Sequence, residues 1–92
     1  MITRDKAEAA ALLALQHIAS SETLLTRFLD ISGLTPETVR QAASDPAFLA
    51  AAFDFLREDD AECGAFAANQ NLSVQELEAI SHILSGGRSY DN

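Results

Sequence analysis

Acidic side chains are concentrated in one short stretch near the middle of the chain. Residues 54–62 carry a single base, Arg57, among these acids: Asp54, Glu58, Asp59, Asp60 and Glu62. The oxygen spacing of a calcium-binding EF-hand loop is absent, and we expect no metal there. Asp59 and Glu62 can favour the N-terminus of a helix, whereas Asp54, Glu58 and Asp60 have no evident role in folding. Two interpretations follow for these three residues. They either only increase solubility, or they dock a basic protein partner, because negative charge steers a cationic partner without strict geometry.

The other reactive residues do not form a catalytic or cofactor-binding set. Cys63, the only cysteine, is predicted to be a small buried side chain, because its acidic neighbours oppose the thiolate that a reactive cysteine needs. His17 and His82 are expected to be exposed on outer or boundary faces, and they lack a metal-ligand spacing such as His-Glu-x-x-His. The sequence therefore predicts a protein that is not an enzyme and that has no cofactor.

One leucine of the first helical segment departs from the apolar pattern. At 100° per residue, Leu13 points away from the face of Leu15 and Ile18 and lies on the side of Lys6. Leu13 is thus a candidate contact with another chain, and we expect a monomer or a weak homodimer.

A second hypothesis comes from residues 33–40, which read GLTPETVR. This string resembles the turn and second helix of helix-turn-helix DNA-binding proteins. Pro46 limits that helix, Arg40 is its single base, and the chain carries a net charge of −8, which opposes phosphate binding. A protein-interaction module is therefore the leading prediction and a nucleic-acid regulator is the alternative. We expect no nucleic-acid or membrane partner.

The composition favours a small helical domain. The chain has 92 residues, which suits one domain. Alanine and leucine are abundant, valine is scarce and tryptophan is absent, a mixture that favours helices over strands. A single cysteine excludes a disulfide framework and is consistent with a reducing compartment. No apolar run is long enough for a membrane span.

The start of the chain has the outline of a signal peptide, because two bases precede the apolar residues 9–15. Asp5 and Glu8 oppose that interpretation, since signal peptides rarely carry acids at those positions. The run is also amphipathic, with Ala11, Leu15 and Ile18 on one face. We therefore expect an ordinary first helix and a cytoplasmic protein.

Polar caps and helix breakers divide the chain into six helical segments. The expected caps accept a hydrogen bond from the first helical turn and are Thr3, Ser20 or Ser21, Thr35, Asp45, Asp59 and Ser73. Asp59 and Glu62 are expected to form a reciprocal capping box. The sequence predicts an all-α fold, a compact orthogonal bundle of five or six short helices. The domain is predicted to span residues 1–85, with a flexible tail at 86–92.

The fourth segment is predicted to be the central helix because it carries the heaviest apolar side chains: Phe48, Leu49, Phe53, Phe55 and Leu56. Ile31 is expected on the buried face of the second helix. Val74 is expected to flank the buried face of the sixth.

The two halves of the chain align at an offset of 38 residues, as from Thr35 to Ser73. The matched apolar pairs are Leu15 with Phe53, Ile18 with Leu56, Phe28 with Phe66, Leu34 with Leu72 and Val39 with Leu77. Gly33 and Asn71 match as left-handed exits from a helix. One interpretation is two three-helix units around helices one and four; the other is that short helices produce such matches by coincidence.

Residues 27–67 resemble a small bacterial family of proteins of unknown function, domain-of-unknown-function family 3572. The resemblance is carried by Arg-Phe-Leu before Gly33, by Pro36, by Asp-Pro-x-Phe-Leu at 45–49 and by the acids that follow Asp-Phe-Leu at 54–56. It implies a compact helical cytoplasmic protein. The family has no assigned activity, so the resemblance transfers no catalytic or binding residue.

Overall fold

Six α-helices make up the computed structural model, which describes residues 2–86. They are α1 Arg4–Ala19, α2 Glu22–Ser32, α3 Pro36–Ala42, α4 Pro46–Arg57, α5 Asp60–Gln70 and α6 Val74–Leu84. The described part of the chain contains no strand. The prediction of an all-α bundle of five or six short helices is confirmed. The predicted tail lies outside the described residues, apart from Gly86.

Each helix begins at a polar residue whose side chain accepts a hydrogen bond from a backbone N–H of the first turn. These N-caps are Thr3, Ser21, Thr35, Asp45, Asp59 and Ser73. Pro36 and Pro46 occupy first helical positions, where the missing N–H leaves no internal bond unmade. Gly33 and Asn71 end α2 and α5 in the left-handed region, with φ of 72° and 58°. The caps therefore set the helix boundaries locally.

The core lies where α1 and α4 pack against each other and α6 packs against both. The largest fully buried side chains come from four helices and are Phe53, Phe66, Ile18, Leu56 and Ile80. The central position of α4 is confirmed. The buried face of α1 is made mostly of alanines, namely Ala7, Ala10, Ala11 and Ala14. Methyl groups in these positions let the α1 backbone lie close to its neighbours.

Two apolar residues that were expected on or beside a buried helix face lie on the surface. Ile31 is 74% exposed and Val74 is 66% exposed. Ile31 lies in the last turn of α2, and Val74 is the first residue of α6. Apolar periodicity assigns a residue to a face of a helix, but it does not show where the neighbouring helix stops. The prediction for Ile31 is wrong for that reason, and Val74 is more exposed than a position beside the buried face predicts.

The repeat is visible in the helix boundaries. The bounds of α2, Glu22–Ser32, shifted by the predicted offset, are those of α5, Asp60–Gln70. The third helix of each unit begins after equivalent caps, Thr35 and Ser73. The units then differ, since α6 packs extensively on α1 and α4 whereas α3 packs extensively on no helix of the described chain.

Candidate docking surface

The junction between α4 and α5 directs its acidic side chains to three places. Glu58 is the C-cap of α4, and Asp59 is the N-cap of α5. Asp54 lies towards α6, Glu62 lies towards α1, and the carboxylates between them face α2. The junction is therefore not one uniform acidic patch.

Asp54 holds two helices together. Its Oδ1 accepts a hydrogen bond from the Ser81 hydroxyl at 3.0 Å, which joins α4 to α6. The expectation that Asp54 has no role in folding is wrong, because that expectation considered only local helix effects. Asp60 also has a local role, since it lies in the first turn of α5, where negative charge is favourable.

Glu62 contacts the first helix. Its Oε1 lies 3.0 Å from Nε2 of His17, and the His17 ring meets Phe66 edge-on with centroids 5.8 Å apart. The His17 side chain is 18% exposed, so the prediction of an exposed histidine is wrong. His82 is exposed as predicted. His17 belongs to the first three-helix unit and Glu62 belongs to the second, so this contact ties the two units together.

The predicted capping box at α5 forms only in one direction. Oδ1 of Asp59 accepts from the Glu62 backbone N–H at 3.0 Å. The Asp59 backbone N–H instead donates to the Leu56 carbonyl at 3.1 Å, and the Glu62 carboxylate turns to His17. The long-range partner thus replaces the reciprocal bond. In α6, by contrast, Ser73 and Glu76 form the complete box.

An open cleft of about 540 Å³ lies between the end of α2 and the α4–α5 junction. We call it the acidic cleft; it is lined by Arg27, Ile31, Phe55, Glu58, Asp59, Asp60 and Ala61. The carboxylates of Glu58 and Asp60 have no hydrogen bond or ion pair with residues 2–86. The lining contains the carboxylates of Glu58, Asp59 and Asp60 and the guanidinium of Arg27. It therefore carries two more negative charges than positive ones.

Arg27 crosses the acidic cleft from α2. Its Nη2 donates to Oδ2 of Asp59 at 3.1 Å, and its guanidinium carbon lies 6.0 Å from the centroid of the Phe55 ring. Asp59 therefore serves two partners, with one oxygen on Arg27 and the other on the Glu62 backbone. No pattern in the sequence indicates this pair, because Arg57 is the only base near these acids along the chain.

Cys63 lies beside the acidic cleft on α5 and is only partly buried. Burial raises the pKa of the Cys63 thiol above its usual value. Arg57 opposes this change, while Asp60 and Asp59 add to it. The thiol is thus held protonated near neutral pH, as expected for an unreactive cysteine.

Leu13 lies at a second groove, which is formed by α1 and residues from Gln70 to Ile80. It is 38% exposed and lines a space of about 290 Å³ that includes Lys6, Leu72 and Ile80. Leu12, which the sequence did not single out, is 40% exposed on the same helix. Leu13 and the acidic cleft therefore belong to separate surfaces.

The segment 33–40, which resembles the turn and second helix of a helix-turn-helix, forms the Gly33 turn that ends α2 and most of α3. The helix α3 has only 7 residues, and its Val39 is buried in the core. Arg40 is its one basic side chain and borders a third groove, of about 300 Å³, between α1, α2 and α3. A helix this short presents few side chains to a DNA groove.

Two absences apply to residues 2–86. No three His, Cys, Asp or Glu side chains are grouped so that they could hold a metal ion. No helix there has both the length and the apolar character needed to cross a membrane.

Comparison with known proteins gave one match. The model of the family described as protein of unknown function (DUF3572) matches residues 4–87, which confirms the resemblance found in the sequence. No curated protein matched the chain, and no solved structure did.

Proposed function

The chain belongs to the DUF3572 family of proteins of unknown function, and we propose that it is a non-enzymatic protein-interaction module whose acidic cleft binds a basic partner. One observation carries the proposal: carboxylates that have no partner among residues 2–86 lie beside exposed apolar surface in one cleft. Glu58 and Asp60 supply the charge. Ile31 and Phe55 supply the apolar surface.

The folding of this chain does not account for the position of Glu58. It ends α4, where a negative charge is unfavourable, and its carboxylate has no partner among residues 2–86. Ile31 likewise exposes most of its side chain at the same cleft. A partner segment that bears lysine or arginine next to an aliphatic residue would neutralise the Glu58 carboxylate and cover the Ile31 side chain.

The negative charge of the protein also affects the rate at which a basic partner associates with it. The chain carries a net charge of −8, and complementary charge raises the association rate in a salt-dependent way. We propose binding and not catalysis for this protein, because the groups near the acidic cleft suit binding better. The Cys63 thiol has a raised pKa, and His17 is engaged by Glu62.

The test uses a fluorescently labelled, amidated peptide of repeating Arg-Leu-Arg-Ala units and measures anisotropy at low and high salt. Glu58→Gln with Asp60→Asn removes the free carboxylates. We expect the affinity to fall about three- to tenfold, the range for a few exposed charge pairs, and the salt dependence to weaken.

The matched control is Asp30→Asn with Glu78→Gln, which removes one Asp and one Glu outside the acidic cleft. This control should bind like the unmodified protein. Equal losses in both double variants would show that net charge alone attracts the peptide, and the absence of binding by all three proteins would overturn the proposal.

The same assay with labelled duplex DNA should show no binding at physiological salt, because the protein has too few basic side chains to neutralise the DNA phosphates. Tight, salt-sensitive DNA binding would favour a nucleic-acid regulator instead.

A further inference from the structure

We propose that Arg27 is an internal competitor: its guanidinium occupies the position in the acidic cleft that an arginine of the partner takes in the complex. This inference rests on the proposed function and names the partner side chain that the acidic cleft selects.

The surroundings of Arg27 match the chemistry that recognises a guanidinium. A carboxylate oxygen of Asp59 accepts one of its N–H groups at 3.1 Å, and the face of Phe55 lies 6.0 Å away. Arginine combines a planar donor group with the ability to stack on an aromatic ring, whereas the lysine ammonium is a strongly hydrated point charge. The subsite that Arg27 fills therefore suits arginine better than lysine.

Arg27 can leave this subsite without unfolding the junction. Its side chain is 50% exposed, and an exposed ion pair of this kind contributes little to stability. Asp59 keeps its cap on α5 through Oδ1, which bonds to the Glu62 N–H and not to Arg27. A departing Arg27 thus frees one oxygen of Asp59 and one face of Phe55 together.

Internal occupancy has a direct consequence for affinity. A partner arginine must displace Arg27 before it reaches Asp59, so the resident side chain weakens binding. The outer carboxylates Glu58 and Asp60 have no partner in the described part of the chain, and they attract the partner protein before the exchange. Removal of Arg27 should therefore tighten binding and increase the preference for arginine over lysine.

The test compares Arg27→Gln with Arg40→Gln, each of which removes one positive charge. Arg40 is exposed on α3 and borders the separate groove of the first unit. The probes are the Arg-Leu-Arg-Ala peptide and its lysine counterpart. We expect Arg27→Gln to bind the arginine peptide about two- to tenfold more tightly than the unmodified protein, the size of one exposed ion pair with its aromatic contact. Arg40→Gln should change the affinity much less.

A second variant keeps the test decisive if Arg27→Gln alters the fold, which a thermal unfolding curve would show. Phe55→Leu keeps an apolar residue but removes the aromatic face, and it should reduce the preference for arginine over lysine.

The outcomes separate the two claims. Binding by the unmodified protein that weakens in Arg27→Gln, or that rises equally in both Arg→Gln variants, would overturn the competitor role and leave the proposed function standing. No binding of either peptide by any variant would overturn the proposed function itself.

Discussion

The third helix begins at the same point in both units of the repeat, but α3 has 7 residues and α6 has 11. In the second unit, α6 lies across α1 and α4, and Ser81 bonds to Asp54. In the first unit, α3 stops at Ala42 and leaves the third groove, which includes Leu15, Leu25 and Val39. One set of local signals thus produces one closed interface and one open interface.

The cause of this difference lies in the next helix start. Asp45 and Pro46 form a cap and a first helical position, and they end α3 early because α4 must begin there. The repeat also places Leu15 where the second unit has Phe53, and Ala43 where it has Ser81. At these two positions the first unit therefore has less side-chain volume, and it lacks the hydroxyl that ties α6 to α4. The comparison shows that caps determine where helices begin, whereas helix length and side-chain volume determine how tightly the helices close.

The largest expected effect tests the difference in side-chain volume. Phe53 is 1% exposed and meets Phe66 edge-on, so Phe53→Ala should lower the free energy of unfolding by about 3–5 kcal/mol. Leu15→Ala, its repeat equivalent, should cost about 2–3 kcal/mol, near the low end for a buried leucine, because Leu15 already borders open space. Chemical denaturation measures both. Equal losses would show that the two interfaces close equally well.

The second effect compares the caps of the third helices. Ser73→Ala removes the half of the α6 capping box in which the Ser73 hydroxyl accepts from the Glu76 N–H, and it should cost about 1 kcal/mol of global stability. Thr35→Ala removes the equivalent cap, but α3 can open without exposing the contact between α1 and α4, so about half that loss is expected. Hydrogen exchange should also show the α3 amides exchanging faster than those of α6. The reverse order of protection would contradict the asymmetry.

A smaller effect concerns the bond that closes the second unit. Ser81→Ala leaves Asp54 without its donor and should cost about 0.5–1 kcal/mol, the usual net value of one hydrogen bond. Ser85→Ala is a control from the same helix end, since within residues 2–86 the Ser85 hydroxyl donates to the nearby His82 carbonyl and to no other helix. If the two substitutions cost the same, the bond between α4 and α6 has no special role in closure.

The smallest effect depends on pH. Cys63 stands where the first unit has Leu25, and its pKa is raised mainly by burial. A raised pKa means that the folded state holds the thiol proton more tightly than the unfolded state. The contribution to stability is therefore present below the ordinary pKa of a cysteine and declines as the pH rises through and above about 8.5. Denaturation midpoints should fall slightly more in the unmodified protein than in Cys63→Ser between neutral pH and that range. A steeper fall in Cys63→Ser would reverse the sign of the effect.

The features that the sequence predicted well are local ones. Thr3, Thr35, Asp45 and Ser73 cap helices because their side chains bond within a few residues, and such bonds depend only on neighbouring positions. The contacts that the sequence missed join distant residues: His17 with Glu62, Arg27 with Asp59 and Ser81 with Asp54. These contacts depend on how helices cross, which a periodic pattern does not specify. The sequence therefore identified the acidic residues, but it did not predict that their side chains lie towards three different helices, α6, α1 and α2.

The alanine face of α1 has a consequence for the entropy of folding. An alanine side chain loses no rotamer freedom when it is buried, so Ala7, Ala10, Ala11 and Ala14 pack without the ordering cost that longer side chains incur. The contact is then shaped largely by the backbone, which cannot change rotamer to relieve a clash. A larger residue at Ala11 or Ala14, both fully buried, would have to move a whole helix. The centre of this bundle is thus its least adaptable part, and variation in the chain is more readily accommodated around the grooves described above.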